Sequence, residues 1–94
     1  MPRLIVVDDD LAIHDLLKVF FEDLGHSIEC FETVGSAKAH LETHGTKIDL
    51  ILCDLRLPDG TGLALMSALK QSHLYIPLIL ITAYGSGEIG ANAL

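Results

Sequence analysis

The sequence predicts an α/β fold, a parallel sheet sandwiched between helices in one domain. Three observations carry that expectation. Four short apolar runs alternate with segments whose apolar residues recur at helical spacing, and right-handed crossovers through short loops lay such strands parallel. Half of the 94 residues are hydrophobic but only 5% are aromatic, so the core is built from Leu, Ile, Val and Ala, as suits strands buried on both faces. The first and third apolar runs also end in carboxylates at a turn, the edge where open α/β sheets keep their chemistry.

Taken in order, Leu4-Ile5-Val6-Val7 is an uninterrupted apolar run and reads as the first strand. From Ile13, the residues Leu16, Leu17, Phe20, Phe21 and Leu24 make one full helical stripe, expected to face the core. Asp10 is placed to cap that helix and Gly25 to end it. Ser27 to Phe31 is a second strand. A second helix follows, capped by Thr33 or Ser36, with Val34, Ala37 and Leu41 turned inward and Gly45-Thr46 closing it. Ile48 to Cys53 is the third strand, and Asp54 stands at its carboxyl end because Pro58 and Gly60 then force a turn. Gly62 to Gln71 is a third helix with Leu65, Met66 and Leu69 as its core face. Pro77 to Ile81 is a fourth strand, with Pro at the tolerated first position. Ser86 to Leu94 begin a fourth helix, weakened by Gly87 and Gly90 at about 1 kcal/mol each relative to Ala. There is no internal repeat and no linker.

Bulk charge narrows the function. Six basic against thirteen acidic side chains leave a net charge of −7, which disfavours a direct grip on nucleic acid or on an anionic membrane. No stretch approaches membrane-spanning length, and the four-residue run after Arg3 is too short for a signal peptide. Cys30 and Cys53 both fall in predicted strands, which points to buried, reduced thiols and a cytoplasmic setting.

The acidic residues carry the chemistry. If the first and third strands are neighbours, Asp8-Asp9-Asp10 and Asp54 converge on one edge of the sheet, and such a cluster favours a divalent metal ion. Helix capping alone accounts for one acid, whereas three stand together.

Val6-Val7-Asp8-Asp9-Asp10, Asp54-Leu55-Arg56-Leu57-Pro58-Asp59-Gly60 about forty-five residues on, and Ile81-Thr82-Ala83 after the fourth strand resemble the receiver domain of two-component response regulators. The resemblance covers the whole chain, so residues 1–94 are expected to be one receiver domain, incomplete at its C-terminal end. It implies a flavodoxin-like, doubly wound sheet of order 2-1-3-4-5, here without the fifth strand and fifth helix. Carried over by motif, Asp54 is the phosphoryl acceptor. Asp9, Asp54 and the backbone carbonyl of Arg56 bind Mg²⁺ directly, and Asp8 helps through water. Thr82 and the backbone N–H of Ala83 contact the phosphoryl group. The implied partner is a sensor histidine kinase, and the motif at Thr82-Ala83-Tyr84-Gly85 looks most like receivers of enhancer-binding transcription activators. The lysine and switch aromatic of the family's fifth strand have no counterpart here, and Lys47 and Lys70 lie in or beside other elements.

Some of these residues also fit other patterns. Asp8 and Asp10 fit the D-x-D-x-[TV] motif of haloacid-dehalogenase-like phosphohydrolases, but Ala12 occupies its last place. A bare fourth strand, Leu78-Ile79-Leu80-Ile81, favours assembly, as a homodimer or scaffold. Gly85-Ser86-Gly87-Glu88-Ile89-Gly90 matches a dinucleotide fingerprint but follows the fourth strand instead of the first. His40 and His44 are spaced like helical zinc ligands, yet Leu41 stands where a zinc protease has Glu, so a solvated helix face is expected.

Overall fold

The computed structural model describes residues 2–81. The elements are β1 (Arg3–Val7), α1 (Leu11–Asp23), β2 (Ser27–Phe31), α2 (Val34–His44), a 3₁₀ turn (Gly45–Lys47), β3 (Leu50–Asp54), β4 (Arg56–Leu57), β5 (Gly60–Thr61), α3 (Gly62–Gln71) and β6 (Leu78–Ile81). Four strands form one sheet in the order β2-β1-β3-β6, and every pair in it is parallel. This is the doubly wound order expected for the first four sheet strands. The predicted fourth helix, with the Gly85 to Gly90 motif, lies outside the described residues.

Local chemistry sets the boundaries. Thr33 and Thr61 cap α2 and α3, their hydroxyls accepting from the backbone N–H of Ser36 and Ala64. At the end of α1, Gly25 takes φ +84°, which lets Gly25 and His26 donate back to the carbonyls of Glu22 and Phe21. The third strand begins later than expected, at Leu50. Asp49 falls outside it because its carboxylate accepts from the Arg3 backbone N–H at 2.7 Å.

Register divides the strand side chains between two faces. Ile5, Val7, Ile51, Cys53 and Leu80 face α2 and α3, and pack with Ala37, Leu41, Leu65 and Leu69. Leu4, Val6, Ile28 and Leu52 form a smaller cluster on the other face, against Leu17 and Phe21 of α1. Cys30 packs on this second face and Cys53 on the first, so the sheet itself separates the two free thiols; Cys53 is buried, Cys30 only partly.

The predicted stripe of α1 is wider than the surface it covers. Leu17 and Phe21 reach the sheet, while Leu16, Phe20 and Leu24 are 65%, 56% and 58% exposed. A cylinder lying on a sheet buries a limited arc, and residues one position round from that arc stay out. His14 takes the inward place at the start of the helix instead; it is buried, and its Nε2 has no hydrogen-bond partner among the described residues. On the same face, Ile79 and Ile81 of β6 are also exposed, alternating with the inward Leu80.

Candidate acidic site at the carboxyl edge of the sheet

Parallel pairing builds this site. Val7 of β1 lies opposite Cys53 of β3, so the next residues, Asp8 and Asp54, leave the same edge side by side. Carboxylate oxygens of Asp8, Asp9 and Asp54 all lie within 4.8 Å of one another. Asp8 is buried, Asp54 half-buried and Asp9 exposed, so the cluster runs from the core to solvent.

Asp8 and Asp54 are held by backbone. Asp8 donates its N–H to the Phe31 carbonyl at 2.9 Å, and its Oδ1 accepts from Asp10 N at 2.9 Å. Asp54 Oδ1 accepts from Arg56 N at 3.3 Å, a contact made within the turn after β3. Burial pushes the Asp8 carboxyl above its usual range; the Asp10 N–H opposes this, and the charges of Asp54, Asp9 and Asp10 push it further up. An all-oxygen set of this spacing fits a small hard cation, which coordinates oxygens at about 2.0–2.1 Å and retains several waters.

Asp10 stands apart from the cluster. Its Oδ1 accepts from Ala12 N at 2.9 Å and caps α1, as its position in the sequence suggested. That role leaves the phosphohydrolase motif without its second carboxylate at the edge. Arg56 lies two residues past Asp54 in the β4–β5 hairpin, where it pairs with Thr61. Thr82 and Ala83 lie outside the described residues.

Three contributors escaped the sequence reading. The hairpin of β4 and β5 is one, since two-residue strands leave no periodic signal. Gly62 is another: a Cβ there would overlap the Leu80 side chain and stand 2.8 Å from the Asp54 carbonyl oxygen and 3.1 Å from Cys53 Sγ. Only a glycine lets α3 start this close to the strand that ends in Asp54. Cys53 adds to the same corner. Burial, with the nearby charges of Asp54 and Asp8, raises its thiol to about 12, so it stays protonated and donates to the Asp54 carbonyl at 3.3 Å.

The third is Asp59. Its two carboxylate oxygens accept from Val34 N at 2.8 Å and Gly35 N at 2.9 Å, so the turn after β3 caps α2 from outside that helix. The P-D-G sequence marks a turn, but nothing local in it points to a helix start 25 residues earlier.

The profile of the response regulator receiver domain matches residues 4–94. The luminescence regulatory protein LuxO of Vibrio campbellii is 37% identical over 90 residues, covering 95% of this chain and 19% of LuxO. The chain thus spans about a fifth of that relative. The receiver domain of a putative LuxO repressor protein from Vibrio parahaemolyticus superposes with a TM-score of 0.84 at 31% identity, covering 97% of this chain and 68% of that one. The beryllofluoride-activated NtrC4 receiver domain, solved as a dimer, gives 0.86 at 27% identity, with 99% of this chain and 75% of that one covered.

Proposed function

The chain belongs to the response regulator receiver domain family, and on that premise we propose that it takes a phosphoryl group from a sensor histidine kinase onto Asp54. The observation that carries this reading is the convergence of the Asp8, Asp9 and Asp54 carboxylates at the carboxyl edge. Receiver domains are signalling domains, and a phospho-accepting role is typical of the family.

In this reading Asp9, Asp54 and the Arg56 backbone carbonyl would hold Mg²⁺, with Asp8 assisting through water. The ion would supply the positive charge that lets an anionic carboxylate meet an anionic phosphoryl group. An Asp54 carboxylate oxygen bonds to phosphorus as the bond from phosphorus to the kinase imidazole nitrogen breaks. Arg56 N, donating to Asp54 Oδ1, keeps that carboxylate in one orientation. Thr82 and Ala83 receive the phosphoryl contacts by their place in the family motif. The setting is cytoplasmic, where such kinases present their phosphohistidine; among the described residues no helix is long and apolar enough to cross a membrane. The beryllofluoride-activated NtrC4 receiver domain, solved as a dimer, supports homodimer formation as part of the response; transcription regulation is the output in this reading.

Intact mass after incubation with Mg²⁺ and acetyl phosphate tests the assignment. We expect a single phosphoryl increment that disappears in Asp54→Asn. An increment retained by the variant, or none in folded wild-type protein, would sink it.

A further inference from the structure

We propose that Asp59 is a positioning residue for the acidic edge: by fastening the β4–β5 hairpin to the start of α2, it sets the Arg56 backbone against Asp54 for metal binding. The inference rests on the reading of Asp54 as an Mg²⁺-assisted phosphoryl acceptor.

A hairpin of two-residue strands does not hold its own position. Its ladder is two residue pairs, Arg56 with Thr61 and Leu57 with Gly60, and a two-stranded ribbon alone is marginal in water. Its orientation is set by what anchors it. At the base, Leu55 N donates to the Ile81 carbonyl at 3.0 Å and Gly62 N to the Leu55 carbonyl at 2.9 Å, while Leu55 and Leu57 pack on the main core. At the tip the anchor is Asp59, whose two oxygens accept from Val34 N at 2.8 Å and Gly35 N at 2.9 Å. Two charge-assisted bonds to one planar carboxylate fix direction as well as distance. Arg56 lies between these anchors, with its N–H on Asp54 Oδ1 at 3.3 Å.

The donors at the start of α2 are divided between two caps. Thr33 Oγ1 accepts from Ser36 N at 3.1 Å, and Asp59 takes the two donors before it. One side-chain cap usually serves a helix start, so the second adds a tie between elements. The far end of that tie is firm. Phe31, three residues before Val34, accepts from Asp8 N at 2.9 Å. Its ring lies 5.0 Å from that of His40, whose side chain is only 17% exposed, where the sequence suggested a solvated helix face. The turn from Phe31 to Gly35 thus braces both halves of the acidic edge, the Asp8 loop through a backbone bond and the Arg56 hairpin through Asp59. Removing Asp59 loosens one half and leaves the other.

Titration of the full chain with Mg²⁺, followed by amide chemical shifts in NMR spectra, tests the proposal. Asp59→Ala should weaken Mg²⁺ binding by roughly tenfold, as loss of a supporting contact behind a metal ligand does, and Asp59→Asn, which keeps one acceptor oxygen, by a smaller factor. Phosphoryl uptake by Asp59→Ala should slow at low Mg²⁺ and recover as the ion is raised to saturation. Thr33→Ala is the control, because it removes a cap of the same helix that has no tie to the hairpin; its Mg²⁺ affinity should match wild type. Dispersed amide spectra verify the fold of each variant. Unchanged Mg²⁺ affinity in the folded Asp59 variants, or an equal loss in Thr33→Ala, would overturn the proposal. Wild type that binds Mg²⁺ but takes up no phosphoryl group would instead sink the acceptor reading alone, since the affinities are read without it.

Discussion

Asp8 and Asp59 both belong to loops at the carboxyl edge of the sheet, yet their surroundings move them in opposite directions. Asp8 is buried among other carboxylates and its proton affinity is raised. Asp59 is exposed and accepts two backbone hydrogen bonds, from Gly35 and Val34, which lower its proton affinity. Asp59 thus stabilises the fold by satisfying the start of α2. Burial and the neighbouring carboxylates make ionising Asp8 costly to the fold. The contrast separates the acids that build this edge from those held ready on it.

Crowding behind Asp54 should give the largest effect. Gly62→Ala forces a methyl against Leu80, Cys53 and the Asp54 carbonyl, and we expect about 1–3 kcal/mol of destabilisation in urea titration. Phosphoryl uptake should slow beyond what lost stability explains, because Asp54 is displaced. Normal stability in this variant would mean that α3 tolerates a shift away from β3.

Removing the strained charge comes next. The folded pKa of Asp8 lies above its ordinary value of 3.8, so between the two the folded chain binds more protons than the unfolded one. Stability therefore falls as pH rises through that window and stays lower above it. Without divalent ions, Asp8→Asn should raise Tm at neutral pH and remove this contribution to the acid profile. It should also reduce the rise in Tm that Mg²⁺ produces, a difference that scanning calorimetry with and without the ion reads directly.

Asp59→Ala should have the smallest effect and the opposite sign. A carboxylate whose folded pKa is depressed stabilises the protein above its ordinary value and loses that stabilisation as pH falls through the folded value. The variant should melt slightly below wild type at neutral pH, and the two curves should meet in acid. An equal gap at every pH would show that the carboxylate charge has no part in the cap.

Much of this was legible in the chain itself. Residues Ser27 to Phe31 and Gly62 to Gln71 are the predicted second strand and third helix without adjustment, because apolar runs, threonine caps and a terminal glycine act over a few residues. The α1 stripe was legible as a helix but not as a face. Periodicity locates an apolar arc; how much of it is covered depends on what it lies against, and the sheet reaches Leu17 and Phe21 but not Leu16 or Phe20. The Asp59 cap, the Gly62 close approach and the tilted His40–Phe31 ring contact went unread for a related reason, since each joins residues from separate elements.

The sequence by itself determined the alternation of strands and helices, the carboxylates at two strand ends and the motif order that names the family. Those features are local, set by side-chain spacing and turn chemistry along a few successive residues. The family motif had already singled out Asp8, Asp9 and Asp54, and only the tertiary structure brings their oxygens within 4.8 Å of one another and assigns Asp59 to the start of α2. The physical reason is register. Pairing Val7 with Cys53 across parallel strands brings carboxylates from distant positions within a few ångströms, and no pattern along the chain specifies that distance.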